Sequence, residues 1–161
     1  MENNKEFHTV RGYEILNKDK RKLTPSMEDY LEMIYRNYLT EGYIRINHIK
    51  EKLHVRASSA SKVVQKLSEL GYLDYEKYGI IQLTEKGREI GKSLLERHKT
   101  IETFLKNLGV GDNAFIDTEL IEHDLSMDTL NKIQIFNHFF AANPDIIKRL
   151  HQFKISNHDD K

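Results

Sequence analysis

The chain has 161 residues, 25 basic and 25 acidic side chains, and 39% hydrophobic residues, which excludes a fully disordered protein. It contains no cysteine, which excludes disulfides, thiolate metal ligands and cysteine nucleophiles. No apolar run reaches the ~18 residues that a membrane span needs, and the N-terminus lacks the hydrophobic stretch of a signal peptide. We therefore expect a cytoplasmic protein that does not contact membranes and that holds any metal through oxygen and imidazole.

The charge is spread unevenly although it sums to zero. Residues 44–90 carry nine Lys and Arg against six Asp and Glu, whereas residues 91–161 carry nine against eleven. This basic excess is modest and is by itself weak support for nucleic-acid binding. Residues 1–23 include a polar run at 17–22 and are predicted to form an N-terminal arm, either a solvated tail or a basic segment that lies along phosphates.

The first predicted helix begins with Ser26 as N-cap and Asp29 at an approximate capping-box spacing. Asp29 and Glu32 lie one turn apart on its flank, so they act either as a cap and a solvated charge or as two ligands of a cation. The helix ends at Glu41-Gly42. Its continuous apolar stripe consists of Met27, Tyr30, Leu31, Ile34, Tyr35, Tyr38 and Leu39.

Residues 44–70 have helix-turn-helix spacing. Ile44 and Ile46 suit a short strand, residues 47–53 a brief helix, and residues 58–70 a second helix after a tight turn. The second helix has a regular apolar face that predicts packing against the rest of the module.

A β-hairpin is predicted directly after this second helix. Residues 72–77 and 80–83 are its strands, and Tyr78-Gly79 supplies the turn. A helix-turn-helix followed at once by a hairpin is a winged helix, which usually binds DNA. A purely structural use of the module is the alternative.

The second helix of the module carries small polar residues and lysines opposite its apolar face. Small hydrogen-bonding side chains let a helix approach base edges, and lysines bind phosphates. With the preceding turn and the wing included, the predicted DNA-contacting residues are Arg56, Ser58, Ser59, Ser61, Lys62, Gln65, Lys66, Lys77 and Tyr78.

A long helix is predicted from Thr84, as a cap, to Leu108. His98 lies within its apolar seam. A single histidine there is more often a satisfied core residue than a metal ligand, so both interpretations stay open at this point.

The run Glu119-Leu120-Ile121-Glu122-His123 puts two carboxylates and an imidazole on one face of a helix predicted over 113–123. Alone, it is either a solvated face or a cluster of metal ligands. The residues that predict packing of this helix against a core, with the acidic face turned inward, are Ile116, Leu120, Ile121 and Leu125.

Two further helices are predicted, one capped by Ser126 and ended by Asn143-Pro144, and a short one over 145–153. The first carries generous apolar surface for a monomer, and winged helices that read DNA usually do so as two-fold pairs. We therefore expect a homodimer. The predicted interface residues are Leu130, Ile133, Phe136, Phe139 and Phe140.

Five runs, at 24–32, 64–67, 75–78, 97–98 and 121–126, jointly resemble the metal-dependent repressors of the diphtheria toxin repressor family, and most of all its manganese transport regulator branch. The resemblance covers about residues 24–150. Three features differ from that branch: Arg56-Ala57 replaces a usual His-Pro pair, the wing tip has Tyr78-Gly79 where an additional Arg is often found, and the N-terminal arm is additional. The operator sequence is therefore left open.

The resemblance implies a binuclear metal site. One ion would be held by Asp29, Glu32, His98 and Glu122, and the second by Glu32, Glu119, Glu122 and His123. Four carboxylates and two imidazoles without sulfur suit Mn²⁺ or Fe²⁺. The iron-sensing branch typically has Met and Cys where this chain has Asp29 and Glu119, so the expected cofactor is Mn²⁺, two ions per subunit, with Fe²⁺ as the alternative.

The expected fold is mainly α with a small β-wing. The expected domains are the arm (1–23), a winged helix-turn-helix DNA-binding domain (24–90), an all-α dimerisation and metal-binding domain (91–155) and a tail (156–161). The function implied is a manganese-responsive repressor that binds double-stranded operator DNA as a metal-loaded homodimer and controls metal uptake genes, with no small organic substrate.

Three alternatives accompany this expectation. The first is an iron-responsive repressor of the same family, and the second is a metal-independent winged-helix regulator. The third is a di-metal carboxylate enzyme, which would need two Glu-x-x-His motifs on long bundle helices. This chain has its acidic run, ending at Glu122-His123, once, so an enzyme is not expected.

Overall fold

The computed structural model of the protein describes residues 23–75 and 79–158. Residues 1–22 of the predicted arm, the wing-tip residues Lys77 and Tyr78, and the end of the tail lie outside the described residues. The chain divides into two compact units, and the boundary lies between Leu95 and Glu96. Among the described helices, none is both long enough and apolar enough to cross a membrane. The predicted domain limits stay predictions.

The first unit combines helices with a small antiparallel sheet, so the predicted fold class is confirmed. The sheet order is β1-β3-β2, with Ile44 opposite Ile81 and Leu73 opposite Leu83. Its described elements are α1 (Pro25–Glu41), β1 (Ile44–Arg45), α2 (Ile46–Lys52), α3 (Ala57–Glu69), β2 (Leu73–Tyr75), β3 (Ile80–Leu83) and the first half of α4 (Glu85–Asn107).

The start of α1 differs from the prediction. Thr24, and not Ser26, is the N-cap, because the Thr24 hydroxyl accepts a hydrogen bond from the Met27 backbone N–H at 3.3 Å. Pro25 follows at the first helical position, where the missing N–H costs nothing. The capping box expected between Ser26 and Asp29 was therefore wrong.

The apolar stripe of α1 is buried in its middle and not at its end. Tyr30, Leu31 and Ile34 are at most 3% exposed, whereas Leu39 is 57% exposed. Burial raises the pKa of the Tyr30 hydroxyl above its usual value.

The turn between α2 and α3 is a Schellman motif. Its two hydrogen bonds run from the Val55 backbone N–H to the Lys50 carbonyl at 3.1 Å and from the His54 N–H to the Glu51 carbonyl at 3.4 Å. His54 has a left-handed φ of 51°, which is unusual for a residue other than glycine. Since α2 begins at Ile46, the prediction of a strand residue there was wrong.

The first half of α4 packs closely against its neighbours. A methyl group at Gly87 would lie 1.9 Å from the Tyr72 carbonyl oxygen, and one at Gly91 would lie 2.6 Å from Tyr35 Cβ. Both positions therefore require glycine. Thr84 caps the helix as predicted, since its hydroxyl accepts a hydrogen bond from the Gly87 N–H at 3.0 Å.

The second unit contains the rest of α4, α5 (Ala114–Ile121), α6 (Met127–Ala142) and α7 (Pro144–His158). Ser126 is the N-cap of α6, as predicted, and accepts a hydrogen bond from the Thr129 N–H at 3.2 Å. Asn137 ties α6 to α4 by donating to the Thr100 carbonyl at 2.8 Å. The core of the second unit includes Ile101, Leu130, Ile133 and Phe140, each at most 9% exposed.

Candidate metal centre and DNA-binding face

The helix α5 turns polar side chains inward. Thr118 and Glu122 are at most 1% exposed, together with Ala114 one turn earlier. By contrast, three of the four apolar residues that were expected to pack inward are exposed, whereas Leu125 is half-buried. The exposure is 71% at Leu120, 57% at Ile116 and 38% at Ile121. The predicted direction was therefore correct for Glu122 and wrong for these three apolar residues.

The carboxyl end of α5 is shorter than predicted. The helix ends at Ile121, and Glu122 follows as its C-cap, still with helical dihedral angles of φ −65° and ψ −28°. His123 lies in the turn that comes next. Glu119 and Glu122 consequently keep their helical spacing, whereas His123 is held by turn geometry.

His98 on α4 meets the carboxylates of α5. Its Nδ1 lies 3.3 Å from Glu119 Oε1 and 3.3 Å from Glu122 Oε2. His98 is 1% exposed, whereas the Glu119 side chain remains 42% exposed. A histidine in the apolar seam thus lies within reach of two acidic groups, which favours the ligand interpretation over a purely structural one.

The buried carboxylate of Glu122 is poorly supplied with hydrogen bonds. Its Oε2 accepts none from the described residues, because the nearby His98 nitrogen is close without the alignment of a hydrogen bond. Its Oε1 lies 4.0 Å from His123 Nε2. Since an ionised carboxylate is costly to bury without compensation, these donor atoms fit a divalent cation.

Arg97 contacts His123, the last predicted ligand of this unit. The Arg97 Nη2 atom lies 3.3 Å from His123 Nδ1, and Arg97 is only 7% exposed. A guanidinium has N–H groups and no acceptor, so it donates this hydrogen bond and the ring nitrogen accepts it. Sequence reasoning missed this contact, because the two residues lie 26 positions apart.

The remaining predicted ligands lie on α1 in the first unit. Glu32 is 7% exposed, and Asp29 is partly buried. Arg36, one turn later, donates from its Nε to Glu32 Oε1 at 2.9 Å. This pair was also missed, although the i, i+4 spacing of Glu32 and Arg36 on a helix was a usable signal.

The predicted DNA-contacting face of α3 is accessible. The helix buries Ala60, Val64 and Leu67, in agreement with the predicted core face. One of its lysines is partly engaged, since Lys66 Nζ lies 3.3 Å from Glu69 Oε2 in an exposed ion pair. The described residues that were predicted to contact DNA and are exposed are Arg56, Ser58, Ser59, Ser61, Lys62, Gln65 and Lys66.

The predicted dimer residues separate into two groups. Leu130, Ile133 and Phe140 are buried within the subunit, at 3%, 9% and 8% exposure. Phe136 and Phe139 are 52% and 47% exposed. With Lys132 and Ile135, they line a surface pocket of about 340 Å³.

Two family models match consecutive parts of the chain. The one described as "Iron dependent repressor, N-terminal DNA binding domain" matches residues 22–81. The one described as "Iron dependent repressor, metal binding and dimerisation domain" matches residues 84–151.

Curated proteins and a solved structure are similar as well. The transcriptional regulator MntR of Lysinibacillus sphaericus (strain C3-41) is 45% identical over 132 residues, covering 81% of this chain and 95% of the relative. MntR of Listeria monocytogenes serotype 4a (strain HCC23) is 47% identical over 128 residues, covering 79% and 90%. The manganese regulator SloR is 31% identical with a TM-score of 0.64, covering 73% of this chain and 55% of SloR.

The chain thus spans nearly the full length of the MntR relatives and about half of SloR. Both halves of the chain match one family, the first its DNA-binding domain and the second its metal-binding and dimerisation domain. The resemblance predicted from the motifs is confirmed. The chain belongs to the iron-dependent repressor family of metal-responsive, DNA-binding transcriptional regulators, and its relatives of high identity are the MntR proteins.

Proposed function

We propose that this protein is a manganese-responsive repressor that binds double-stranded operator DNA as a metal-loaded homodimer and controls metal uptake genes. The observation that carries the proposal is the contact of buried His98 with the carboxylates of Glu119 and Glu122. A winged-helix regulator that does not bind metal has no need of a buried carboxylate with an unsatisfied oxygen beside an imidazole.

The proposed site holds two Mn²⁺ ions per subunit through six side chains. Oxygen and imidazole donors without sulfur favour Mn²⁺, and Fe²⁺ is the competing ion. When bound, the ions supply positive charge that offsets the repulsion between carboxylates. The proposed ligands are Asp29, Glu32, His98, Glu119, Glu122 and His123.

Coupling to DNA follows from where these ligands lie in the sequence. Asp29 and Glu32 belong to α1 of the DNA-binding unit, and the other four ligands belong to the second unit. We propose that the conformation that binds metal more tightly is also the one that binds the operator more tightly, so each raises the affinity for the other.

The proposed DNA contacts use α3 and the wing. Ser58, Ser59 and Ser61 are placed nearest to base edges, whereas Lys62 and Lys66 bind phosphates. Their exposure supports the assignment. The other proposed contacts are Arg56, Gln65, Lys77 and Tyr78.

The proposed homodimer contact uses the exposed apolar side chains of the second unit. On α6 these are Ile135, Phe136 and Phe139, and on α5 the most exposed is Leu120. Large apolar side chains that are about half exposed or more, on two helices of one small unit, are typical of an interface. This surface is narrower on α6 than the sequence predicted, and it extends to α5.

The test has two measurements. Gel retardation of DNA from upstream of the protein's own gene compares Mn²⁺, Fe²⁺, Zn²⁺ and a chelator, and we expect the strongest shift with Mn²⁺. Calorimetry is expected to find two Mn²⁺ ions per subunit. A shift that is equal with chelator would identify a metal-independent regulator, and a preference for Fe²⁺ would identify an iron-responsive one.

A pair of histidine variants tests the site itself. His98→Ala should lose Mn²⁺ uptake and the metal-dependent DNA shift, whereas His138→Ala removes an exposed histidine of the same unit and should change neither. Unchanged stoichiometry and affinity in His98→Ala would show that this histidine belongs only to the core.

A further inference from the structure

The contact between Arg97 and His123 determines which nitrogen of His123 carries a proton. Arg97 Nη2 lies 3.3 Å from His123 Nδ1, and the guanidinium can only donate. Nδ1 therefore uses its lone pair to accept this hydrogen bond. In a neutral imidazole the proton then lies on Nε2, the nitrogen 4.0 Å from Glu122 Oε1.

This arrangement leaves His123 unable to bind a metal. A ligating imidazole must offer a nitrogen lone pair. The lone pair of Nδ1 is directed at Arg97, and Nε2 carries the proton. If Nε2 became a ligand instead, the proton would move to Nδ1, where its N–H would face the N–H groups of Arg97.

The charge of Arg97 acts in the same direction. A guanidinium is positively charged at every physiological pH, and Arg97 is 7% exposed, so solvent screens it weakly. The guanidinium lies beside His123, whose other ring nitrogen is 4.0 Å from Glu122 Oε1. When a divalent cation binds the same residues, the positive charge of Arg97 repels it at short range.

We propose that Arg97 donates a hydrogen bond to His123 Nδ1 in the metal-free protein and must be displaced before His123 can ligate Mn²⁺. Arg97 therefore lowers the affinity for the metal and sets the metal concentration at which the protein responds. This inference rests on the proposed function. Arg97 thus sets the metal affinity by competing with the metal for His123, and it is not itself a ligand.

The first test needs no metal. Imidazole ¹⁵N NMR of the metal-free wild-type protein, with the His123 signals assigned by comparison with His123→Gln, reports which ring nitrogen is protonated. We expect the Nε2–H form. The Nδ1–H form would overturn the inference, because Arg97 could not then donate to that nitrogen.

The second test measures Mn²⁺ binding from the electron paramagnetic resonance signal of the free ion. Arg97→Gln removes the charge and supplies an amide oxygen that can accept from an Nδ1–H group, so the dissociation constant should fall about tenfold. Arg97→Lys keeps the charge and only donates, so it should remain near wild type. Lys99→Gln removes one charge from an exposed position of the same helix and is the matched control.

The outcomes separate the two proposals. If the wild type takes up no Mn²⁺, the proposed function fails. If the wild type binds Mn²⁺ but Arg97→Gln binds it equally or more weakly, Arg97 assists or ignores the metal and only this inference fails. If Arg97→Gln does not fold, the NMR measurement on the wild type decides.

Discussion

The helices α3 and α5 distribute their side chains in opposite ways. The helix α3 buries Val64 and Leu67 and exposes serines and lysines, as an ordinary surface helix does. The helix α5 buries Thr118 and Glu122 and exposes Leu120. A helix of the second kind is costly for an isolated subunit, because its carboxylate loses hydration while its leucine remains exposed to water.

The difference suggests what each helix is for. The polar face of α3 is free to meet a polar, charged partner such as DNA, and no buried group on that helix needs compensation. The buried carboxylate of α5 becomes favourable when a cation binds, and its exposed apolar side becomes favourable when a second subunit covers it. The inverted pattern of α5 thus supports both proposed roles of the second unit.

The largest effect is expected for the buried carboxylate of α5. Glu122→Gln keeps the shape of the side chain and removes its charge, so it should abolish the Mn²⁺-dependent gain in DNA affinity, a coupling of about 1–3 kcal/mol. Metal-free DNA binding should be unchanged. Fluorescence anisotropy with labelled operator, with Mn²⁺ and with chelator, measures both.

Asp124→Asn is the control for Glu122→Gln, since it removes a carboxylate from an exposed position two residues later. It should respond to Mn²⁺ as the wild type does. If both variants behaved alike, the burial of Glu122 would have no bearing on metal binding, and the contrast between α3 and α5 would lose its functional meaning.

A smaller effect is expected on the exposed side of α5. Leu120→Ser should raise the dimer dissociation constant by at least about tenfold, because burying a leucine in each subunit contributes ~1.5–3 kcal/mol. Sedimentation velocity over a concentration series measures it. Leu39→Ser, at an equally apolar exposed site on α1, should leave the dimer intact. An unchanged dimer in Leu120→Ser would place the interface elsewhere.

On α3 the expected change is in salt dependence. Lys66→Ala should weaken binding to all DNA sequences similarly and lower the slope of log affinity against log salt by ~1 per lost phosphate contact. Loss of the exposed Lys66–Glu69 ion pair should cost little stability. Lys99→Ala on α4 serves as the charge control. A changed sequence preference with an unchanged slope would mean that α3 lies differently on DNA.

The smallest effect concerns the turn that leads into α3. His54 has a φ of 51°, so His54→Gly should relieve backbone strain and stabilise the fold by about 0.5–1 kcal/mol after the entropy cost of glycine. Thermal unfolding of the metal-free protein measures it. Gly71, with a φ of 79° after α3, is the reverse case, and Gly71→Ala should destabilise. A destabilised His54→Gly variant would show that the imidazole itself makes a needed contact.

Local patterns predicted several helices and their caps correctly. Apolar spacing predicted α1 and α3, and the hydroxyls of Thr84 and Ser126 were recognised as caps, because a cap and its helix are neighbours in sequence. The error at Ser26 was also local. Pro25 restricts the residue before it to extended backbone, which is the conformation of an N-cap, so Thr24 was identifiable.

The sequence by itself determined the helix-turn-helix and the wing, because these depend on spacing along the chain, and its motifs carried the family resemblance that implied the candidate metal ligands. Only the tertiary structure decided that His98 meets Glu119 and Glu122 and that Arg97 donates to His123. It also decided that α5 turns Glu122 inward and Leu120 outward. Helical periodicity groups side chains by face, but the face that becomes buried is the one that meets another helix, and that depends on residues distant in sequence.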